Sequence, residues 1–187
     1  MDLTELEAMV REVKARQDIL QCVYRYARGV DRLDRAMLVS AYHPDAIDDH
    51  GIFVGTAEEF ADYFFAFHEK RQFSTHHVIG NHVCEVDGDT AHAETYYIYL
   101  SNNQYEPPVS MAAGRYIDRF ECRDGRWAIA ARKCVIEWDW DPGETVLPTE
   151  MIAAFAGVGT ISRDKTDLSY DRPLMPDPAR IGLKFPF

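Results

Sequence analysis

Two similar strand–turn–strand patterns fill much of the second half of this 187-residue chain and limit its fold most strongly. The first reads "HHVIGNHVCEV", a "DGD" turn and "TAHAETYYIYLSNN"; the second reads "VSMAAGRYIDRFECR", a "DGR" turn and "WAIAARKCVIEWDW". β-Branched and aromatic residues favour strands, and an Asp-Gly pair between two such runs favours a tight turn. The patterns therefore predict two long antiparallel hairpins.

Three helices are predicted before the hairpins. Apolar residues recur at helical spacing over Thr4–Arg28, and "DRLDRAMLVSAY" predicts a short second helix that starts near Asp31 or Asp34. In "GTAEEFADYFFAFHEK", Thr56 is followed three residues later by Glu59, which is the capping-box signature of a third helix. Helices first and hairpins afterwards predict an α+β fold, with the helices packed on one face of a curved sheet.

The last part of the chain has a different composition. Six prolines fall between Pro142 and Pro186, so we expect one domain over residues 1–140 and a Pro-rich C-terminal extension over residues 141–187. The extension is predicted to hold at most one short helix, around Glu150 to Phe155. It would lie over a neighbouring subunit or close a pocket.

Charge and cysteine usage exclude several function classes. Twenty Lys and Arg against thirty-one Asp and Glu give a net charge of −11 without a basic cluster, which argues against nucleic acid as a partner. No apolar run is long enough for a membrane span, and the sequence favours a soluble, cytoplasmic protein. The four cysteines lack CxxC spacing and sit in apolar segments, which favours buried free thiols over disulfides or a metal site.

Asp31 and His77 are the first candidates for chemistry. A carboxylate beside an imidazole makes a general base, because the carboxylate fixes the tautomer while the free nitrogen takes a proton. Neighbouring strand residues point to opposite faces, so His76 and His77 cannot both face one pocket. Considered singly, Asp31 is more simply an N-cap for the second helix, and His77 a structural strand histidine.

A resemblance favours the pair. Along the chain the order is a helix, "GVDRLD", a short helix, "YHPDAIDDHGIF", a helix, "STHHVIGN", "DGDTAHAE" and "GRYIDRFECRDGRWAIAARK". Over roughly residues 5–140, this order resembles the SnoaL-like branch of the nuclear-transport-factor-type α+β cone superfamily. The resemblance implies three N-terminal helices on a strongly curved, mainly antiparallel sheet that forms a cone with an internal pocket. Within the family the chain resembles scytalone dehydratase and hexachlorocyclohexane dehydrochlorinase, which implies a catalytic Asp31 and His77, with His76 facing away.

The sequence departs from the dehydratase pattern at two positions. Where that enzyme has a tyrosine that helps to polarise the substrate carbonyl, this chain has His50, which would donate a hydrogen bond to a developing enolate or be an exposed loop histidine. Where it has a second catalytic histidine, this chain has Asn102, which would orient a polar substrate group or simply belong to a turn.

Aromatic residues are the candidates for substrate binding. Five tyrosines could line an apolar pocket or pack in the core: Tyr26, Tyr42, Tyr97, Tyr99 and Tyr116. Arg115 is expected to pair with Asp118 or Glu94 or to lie inside the cone. Trp127 is expected in the core, and Trp138 and Trp140 at an interface or a pocket mouth.

These expectations lead to a cofactor-independent lyase, of dehydratase or dehydrohalogenase type, that acts on a small cyclic or aromatic substrate without a metal. An isomerase or cyclase would use the same base. A different class is the non-catalytic small (β) subunit of an aromatic-ring-hydroxylating dioxygenase, and a third is a binding module without turnover. A homo-oligomer, dimer or trimer, is expected in each case, because members of the superfamily commonly associate.

Overall fold

The computed structural model describes residues 2–140, 148–160 and 166–186. The helices and strands lie in this order along the chain: α1 Leu3–Asp31, α2 Arg35–Val39, β1 Tyr42–Asp49, β2 Val54–Gly55, α3 Ala57–Arg71, β3 Gln72–Asp87, β4 Thr90–Asn103, β5 Val109–Arg123, β6 Arg126–Trp140 and α4 Thr149–Ala156. Short 3₁₀ turns follow at Leu168–Tyr170 and Pro178–Arg180. The predicted α+β class and its three N-terminal helices are confirmed.

The helix starts follow from side-chain caps. Asp2 and Glu5 form a capping box at α1, and Thr56 and Glu59 form the predicted one at α3. Asp34 caps α2 by accepting a hydrogen bond from the backbone N–H of Met37. The interpretation of Asp31 as an N-cap is therefore wrong, since Asp31 is the last residue of α1 and its side chain is directed elsewhere.

Both predicted hairpins are present. β3 pairs with β4 and β5 with β6 in antiparallel register, and the "DGD" and "DGR" turns place Gly88 and Gly125 at φ values of +58° and +76°. Glycine adopts these values without a steric penalty, which is why Asp-Gly closes such short turns. The described strands form one mixed sheet in the order β2-β1-β6-β5-β4-β3.

The strand β1 was not predicted. It pairs in parallel with β6 and places the first strand of the chain beside the last, one strand in from the edge formed by β2. The register slips between Tyr42 and Ile47, where Pro44 removes a backbone donor. The pairing brings the end of β1, with Asp48 and Asp49, beside Arg132 and Lys133 of β6.

The core lies between α1 and the inner face of the sheet. Ile19, Cys22, Val23, Tyr26 and Val30 form the buried stripe of α1, whereas the first turns of this helix, up to Lys14, are exposed. Trp127 is buried, as predicted, and Trp138 and Trp140 are exposed at the end of β6. Of the cysteines, Cys22, Cys84 and Cys134 are buried and all four are free thiols.

The C-terminal extension covers part of the outer face of the sheet. Val158, Leu168 and Leu174 pack on Ile117 and Val135, which face away from the core. α4 agrees with the short helix predicted around Glu150 to Phe155. Residues 141–147, 161–165 and 187 of the extension lie outside the described residues.

Arg115 anchors this covering segment. Its guanidinium donates two parallel hydrogen bonds of 2.9 Å to the carboxylate of Asp167, and it also pairs with Glu137 at 2.8 Å and Glu94 at 3.5 Å. The predicted pairing with Glu94 is confirmed. The alternative of Asp118 is wrong, because Asp118 is engaged by Arg132 on the other face.

Candidate active site

Asp31 and His77 form a hydrogen-bonded pair where the end of α1 crosses β3. The Nδ1 of His77 lies 2.7 Å from Oδ1 of Asp31, and Asp31 also accepts hydrogen bonds of 2.9 Å from the backbone N–H of His77 and from the hydroxyl of Thr75. The side chain of His77 is 8% exposed and that of Asp31 15% exposed. Three donors therefore hold one nearly buried carboxylate against the imidazole.

The contacts of Asp31 favour its ionised form. Burial acts to raise the pKa of the carboxyl group, but the hydrogen bonds from His77 and Thr75 outweigh burial and lower it. A carboxylate at Nδ1 keeps the proton on that nitrogen and leaves Nε2 as the acceptor. Within the described part of the chain, no hydrogen bond engages Nε2 of His77.

His76 points the other way. It is exposed, whereas His77 faces inward with its ring centroid 5.0 Å from that of Tyr99 and 6.2 Å from that of Tyr26. The alternation of side chains along β3 produces this difference. Of the two adjacent histidines, only His77 reaches the interior.

The interior holds a cavity of about 540 Å³. Aromatic residues from α1, α3 and the sheet form most of its wall, and they include Tyr26, Phe60, Phe64, Tyr97, Tyr99 and Tyr116 together with His77 and His50. Met151 and Phe155 of α4 and Phe185 and Pro186 near the C-terminus complete the wall. The size and apolar lining suit a small ring-containing molecule.

His50 lies in this wall and pairs with a carboxylate that the sequence analysis did not identify. Its Nδ1 is hydrogen-bonded to Asp48, which is fully buried, and its Nε2 lies 3.0 Å from the hydroxyl of Tyr26. The interpretation of His50 as an exposed loop residue is wrong, since it is 8% exposed. The only signal in the sequence is "DDH", an acidic residue two positions before a histidine.

A second buried ion pair lies beneath the tyrosines. Arg132 and Asp118 are both fully buried and share two hydrogen bonds, of 2.7 and 2.8 Å. The guanidinium carbon of Arg132 is 4.2 Å from the ring centroids of both Tyr26 and Tyr116. This cation–π contact orients two rings of the cavity wall, and sequence reasoning missed it.

Two of the predicted substrate-binding residues lie elsewhere. Tyr42 is buried behind the cavity, where its hydroxyl donates a hydrogen bond to Asp48. Asn102 is exposed on the outer side of β4, and its neighbours Ser101 and Asn103 line the cavity instead. These two assignments are therefore corrected: Tyr42 supports the buried carboxylate, and Asn102 does not reach the cavity. Tyr26, Tyr97, Tyr99 and Tyr116 do line it.

Over residues 2–140, 148–160 and 166–186, no group of three or more His, Cys, Asp or Glu side chains is arranged to hold a metal ion. None of the helices in those ranges is long and apolar enough to cross a membrane.

The helices pack on a curved mixed sheet, and a histidine–carboxylate pair lies at the wall of an internal cavity. These features define the class of protein as an α+β cone. The chain belongs to the SnoaL-like domain family, whose sequence model matches residues 11–133. No curated protein matches the chain.

Solved structures share the fold. A hexachlorocyclohexane dehydrochlorinase, LinA-type3 from Novosphingobium barchaimii, is 22% identical, with a TM-score of 0.65 over 74% of this chain and 98% of that chain. A protein from Novosphingobium aromaticivorans assigned as a scytalone dehydratase is 17% identical, with a TM-score of 0.63 over 75% of this chain and 93% of that chain. Another from that organism, assigned as an aromatic ring hydroxylase, is 20% identical, with a TM-score of 0.58 over 67% of this chain and 91% of that chain. At these identities the likeness concerns the fold.

Proposed function

We propose that the protein is a cofactor-independent lyase in which His77, oriented by Asp31, removes a proton from a small cyclic or aromatic substrate. The observation that carries the proposal is the 2.7 Å contact between His77 Nδ1 and Asp31, which leaves Nε2 as the acceptor on a residue of the cavity wall. A pair used only for structure has no need of a cavity beside its free nitrogen. Family membership agrees with a catalytic or binding role.

The chemistry divides between the two residues. His77 takes the proton at Nε2, and the carboxylate of Asp31 stabilises the imidazolium that forms. As the carbon–hydrogen bond breaks, its electrons form a double bond and a leaving group departs from the neighbouring carbon. An isomerase or a cyclase would begin with the same proton transfer, so product analysis distinguishes these outcomes.

The test is turnover of hydroxylated and halogenated cyclic compounds by the wild-type protein and by His77→Gln. We expect the variant to bind substrate and to lose about 10²–10⁴-fold in kcat, the usual contribution of a positioned base. Asp31→Asn should lose activity in the same direction, because the amide can no longer stabilise the imidazolium.

His76→Gln is the matched control, since it alters the adjacent exposed histidine and should leave kcat unchanged. Near-full activity of His77→Gln would show that the pair is not the base. A wild-type protein without turnover that copurifies with a large iron–sulfur subunit would instead favour the small-subunit alternative.

A further inference from the structure

Asp139 lines the cavity from β6, the last strand of the sheet. Its neighbours Trp138 and Trp140 are exposed, and the alternation of side chains along a strand directs Asp139 inward. Aspartate is one of the residues that strands disfavour, and the proton transfer from substrate to His77 does not involve this one. A carboxylate thus stands in a mostly aromatic wall without a part in folding or in the proton transfer.

One row of paired strand residues connects Asp139 to His77. His77 of β3 is opposite Tyr99 of β4. Tyr99 is opposite Ala112 of β5, and Ala112 is opposite Asp139. All four residues line the cavity. Neighbouring strands lie about 4.8 Å apart, so the ends of the row are at most about 14 Å apart along the sheet, and closer across the cavity because the sheet is curved.

The two residues between them leave a path along this surface. Ala112 has only a methyl group, so a ring that lies over it can reach the carboxylate. Tyr99 presents its ring to the cavity, and its hydroxyl group is hydrogen-bonded to Gln72 at 2.7 Å. A small cyclic molecule can therefore lie along the row with one end at His77 and the other at Asp139.

The carboxylate of Asp139 has an unsatisfied oxygen. Among the residues that the structure describes, no hydrogen-bond partner reaches its Oδ2, although this atom is buried. The carboxylates beneath the cavity differ, since Asp48 is paired with His50 and Asp118 with Arg132. A buried acceptor without a donor costs free energy, and a ligand that brings a donor recovers it.

We propose that Asp139 is a specificity-determining residue that accepts a hydrogen bond from a hydroxyl group on the substrate ring, at the end remote from the carbon that loses its proton. The inference rests on the proposed function, since His77 defines the reacting end. A carboxylate accepts hydrogen bonds but cannot donate them, so a halogen or methyl group at the same place on the ring would leave Oδ2 unsatisfied. The substrate class is therefore a hydroxylated ring.

Para-nitrophenol and para-nitrotoluene test the acceptor without turnover. The two rings have nearly the same size, and a methyl group replaces the hydroxyl group in the second. At a pH where the phenol is neutral, we expect the wild-type protein to bind it about tenfold more tightly than para-nitrotoluene, or better. Asp139→Ala should reduce this preference to about twofold or less, because the acceptor is lost.

Asp139→Asn separates the charge from the volume of the side chain. The carboxylate repels the phenolate, so para-nitrophenol bound to Asp139→Asn should titrate at a lower pH than when it is bound to the wild-type protein. Asp89→Asn is the matched control, since it removes a carboxylate that is exposed in the turn between β3 and β4. It should leave both the titration and the preference unchanged.

Stability distinguishes a binding role from a structural one. Asp139→Ala removes a polar group that lacks a partner, so it should unfold at the same urea concentration as the wild-type protein or at a higher one. A carboxylate that held the fold together would lower that concentration when it is removed. A loss of stability in Asp139→Ala would therefore contradict the inference.

The binding measurements also separate this inference from the proposed function. His77→Gln should keep the preference for para-nitrophenol, so a failure of the base assignment in turnover leaves this measurement intact. Equal binding of the two compounds by the wild-type protein, an unchanged preference in Asp139→Ala, or a lost preference in His77→Gln would each overturn the inference, and so would the absence of binding at millimolar concentration. If Asp139→Ala does not fold, the titration in Asp139→Asn decides.

Discussion

The buried pair of His50 and Asp48 makes the stability of the fold depend on pH. The pKa of His50 rises from its ordinary value of 6.5 to about 10 in the folded protein, so the folded state holds one more proton than the unfolded state between these values. The contribution to stability is complete below about pH 6.5 and is lost as the pH rises through 10.

We therefore expect the free energy of unfolding to fall by an amount on the order of 2 kcal/mol between about pH 7 and pH 9, and His50→Gln to lose less over this range. Urea unfolding of both proteins at the two pH values measures the difference, and the variant corrects for other groups that titrate there. Equal losses in the two proteins would show that the charge of Asp48 does not keep His50 protonated over this pH range.

The individual residues of the site differ in how far the sequence predicts them. Asp31 and His77 were identified because each stands in a motif of the resemblance, at the end of a helix and on an alternating strand. Asp48 and Arg132 carry no such mark. Their burial depends on the pairing of β1 with β6, two strands far apart in the chain, and a buried charge cannot be told from an exposed one until that pairing is known.

Within the sheet, Gly114 is the point where a side chain is least tolerated. The register of β5 against β6 shifts between Ala113 and Gly114, and a Cβ at Gly114 would lie 1.8 Å from the carbonyl oxygen of Val135. Two backbones approach each other there, so the neighbour cannot move aside as a flexible side chain would. We expect Gly114→Ala to lower the free energy of unfolding by more than about 3 kcal/mol.

Gly80→Ala is the matched control for this prediction. It lies on β3 in the same sheet, and a Cβ there would meet its nearest neighbour, the carbonyl oxygen of Tyr96, at 3.4 Å. We expect a change below about 1 kcal/mol in urea unfolding. Similar losses in the two variants would mean that the close approach at Gly114 is relieved elsewhere.

The elements themselves were predicted to different degrees. Both hairpins and α3 were predicted correctly because their signals, alternation, Asp-Gly turns and a capping box, act over a few neighbouring residues. β1 was missed because Pro44 and Asp45 interrupt its apolar pattern and because its parallel partner β6 lies far along the chain. No local sequence pattern predicts a parallel pairing between strands so far apart in the chain.

At the scale of the whole molecule, the C-terminal extension is part of the site. Met151 and Phe155 of α4 line the cavity, and Phe185 accepts a hydrogen bond of 2.5 Å from the hydroxyl of Tyr63 on α3. The proline content predicted an extension but not its contacts, which depend on single residues such as Asp167. Association into a homo-oligomer stays a prediction.

Arg180 connects this extension to the domain. Its guanidinium lies 3.2 Å from the fully buried carboxylate of Asp49 at the end of β1, and it donates hydrogen bonds to the carbonyl oxygens of Gly51 at 2.8 Å and Ala154 of α4 at 3.1 Å. One side chain thus fixes α4 against the strand that leads to His50. Its loss leaves a buried carboxylate without its charged partner and frees two carbonyl groups.

We expect Arg180→Ala to lower the free energy of unfolding by roughly 3 kcal/mol and to speed hydrogen exchange in α4. It should also weaken the binding of para-nitrophenol, a small aromatic probe of the cavity, because α4 carries two residues of the cavity wall. Urea unfolding, hydrogen exchange of the α4 amides and absorbance titration measure the three effects. Arg35→Ala is the matched control, since its ion pairs with Glu58 and Asp62 lie at the surface and contribute below about 1 kcal/mol. Unchanged exchange in α4 together with unchanged ligand binding would mean that α4 is held by its apolar contacts alone, and that Arg180 stabilises only β1.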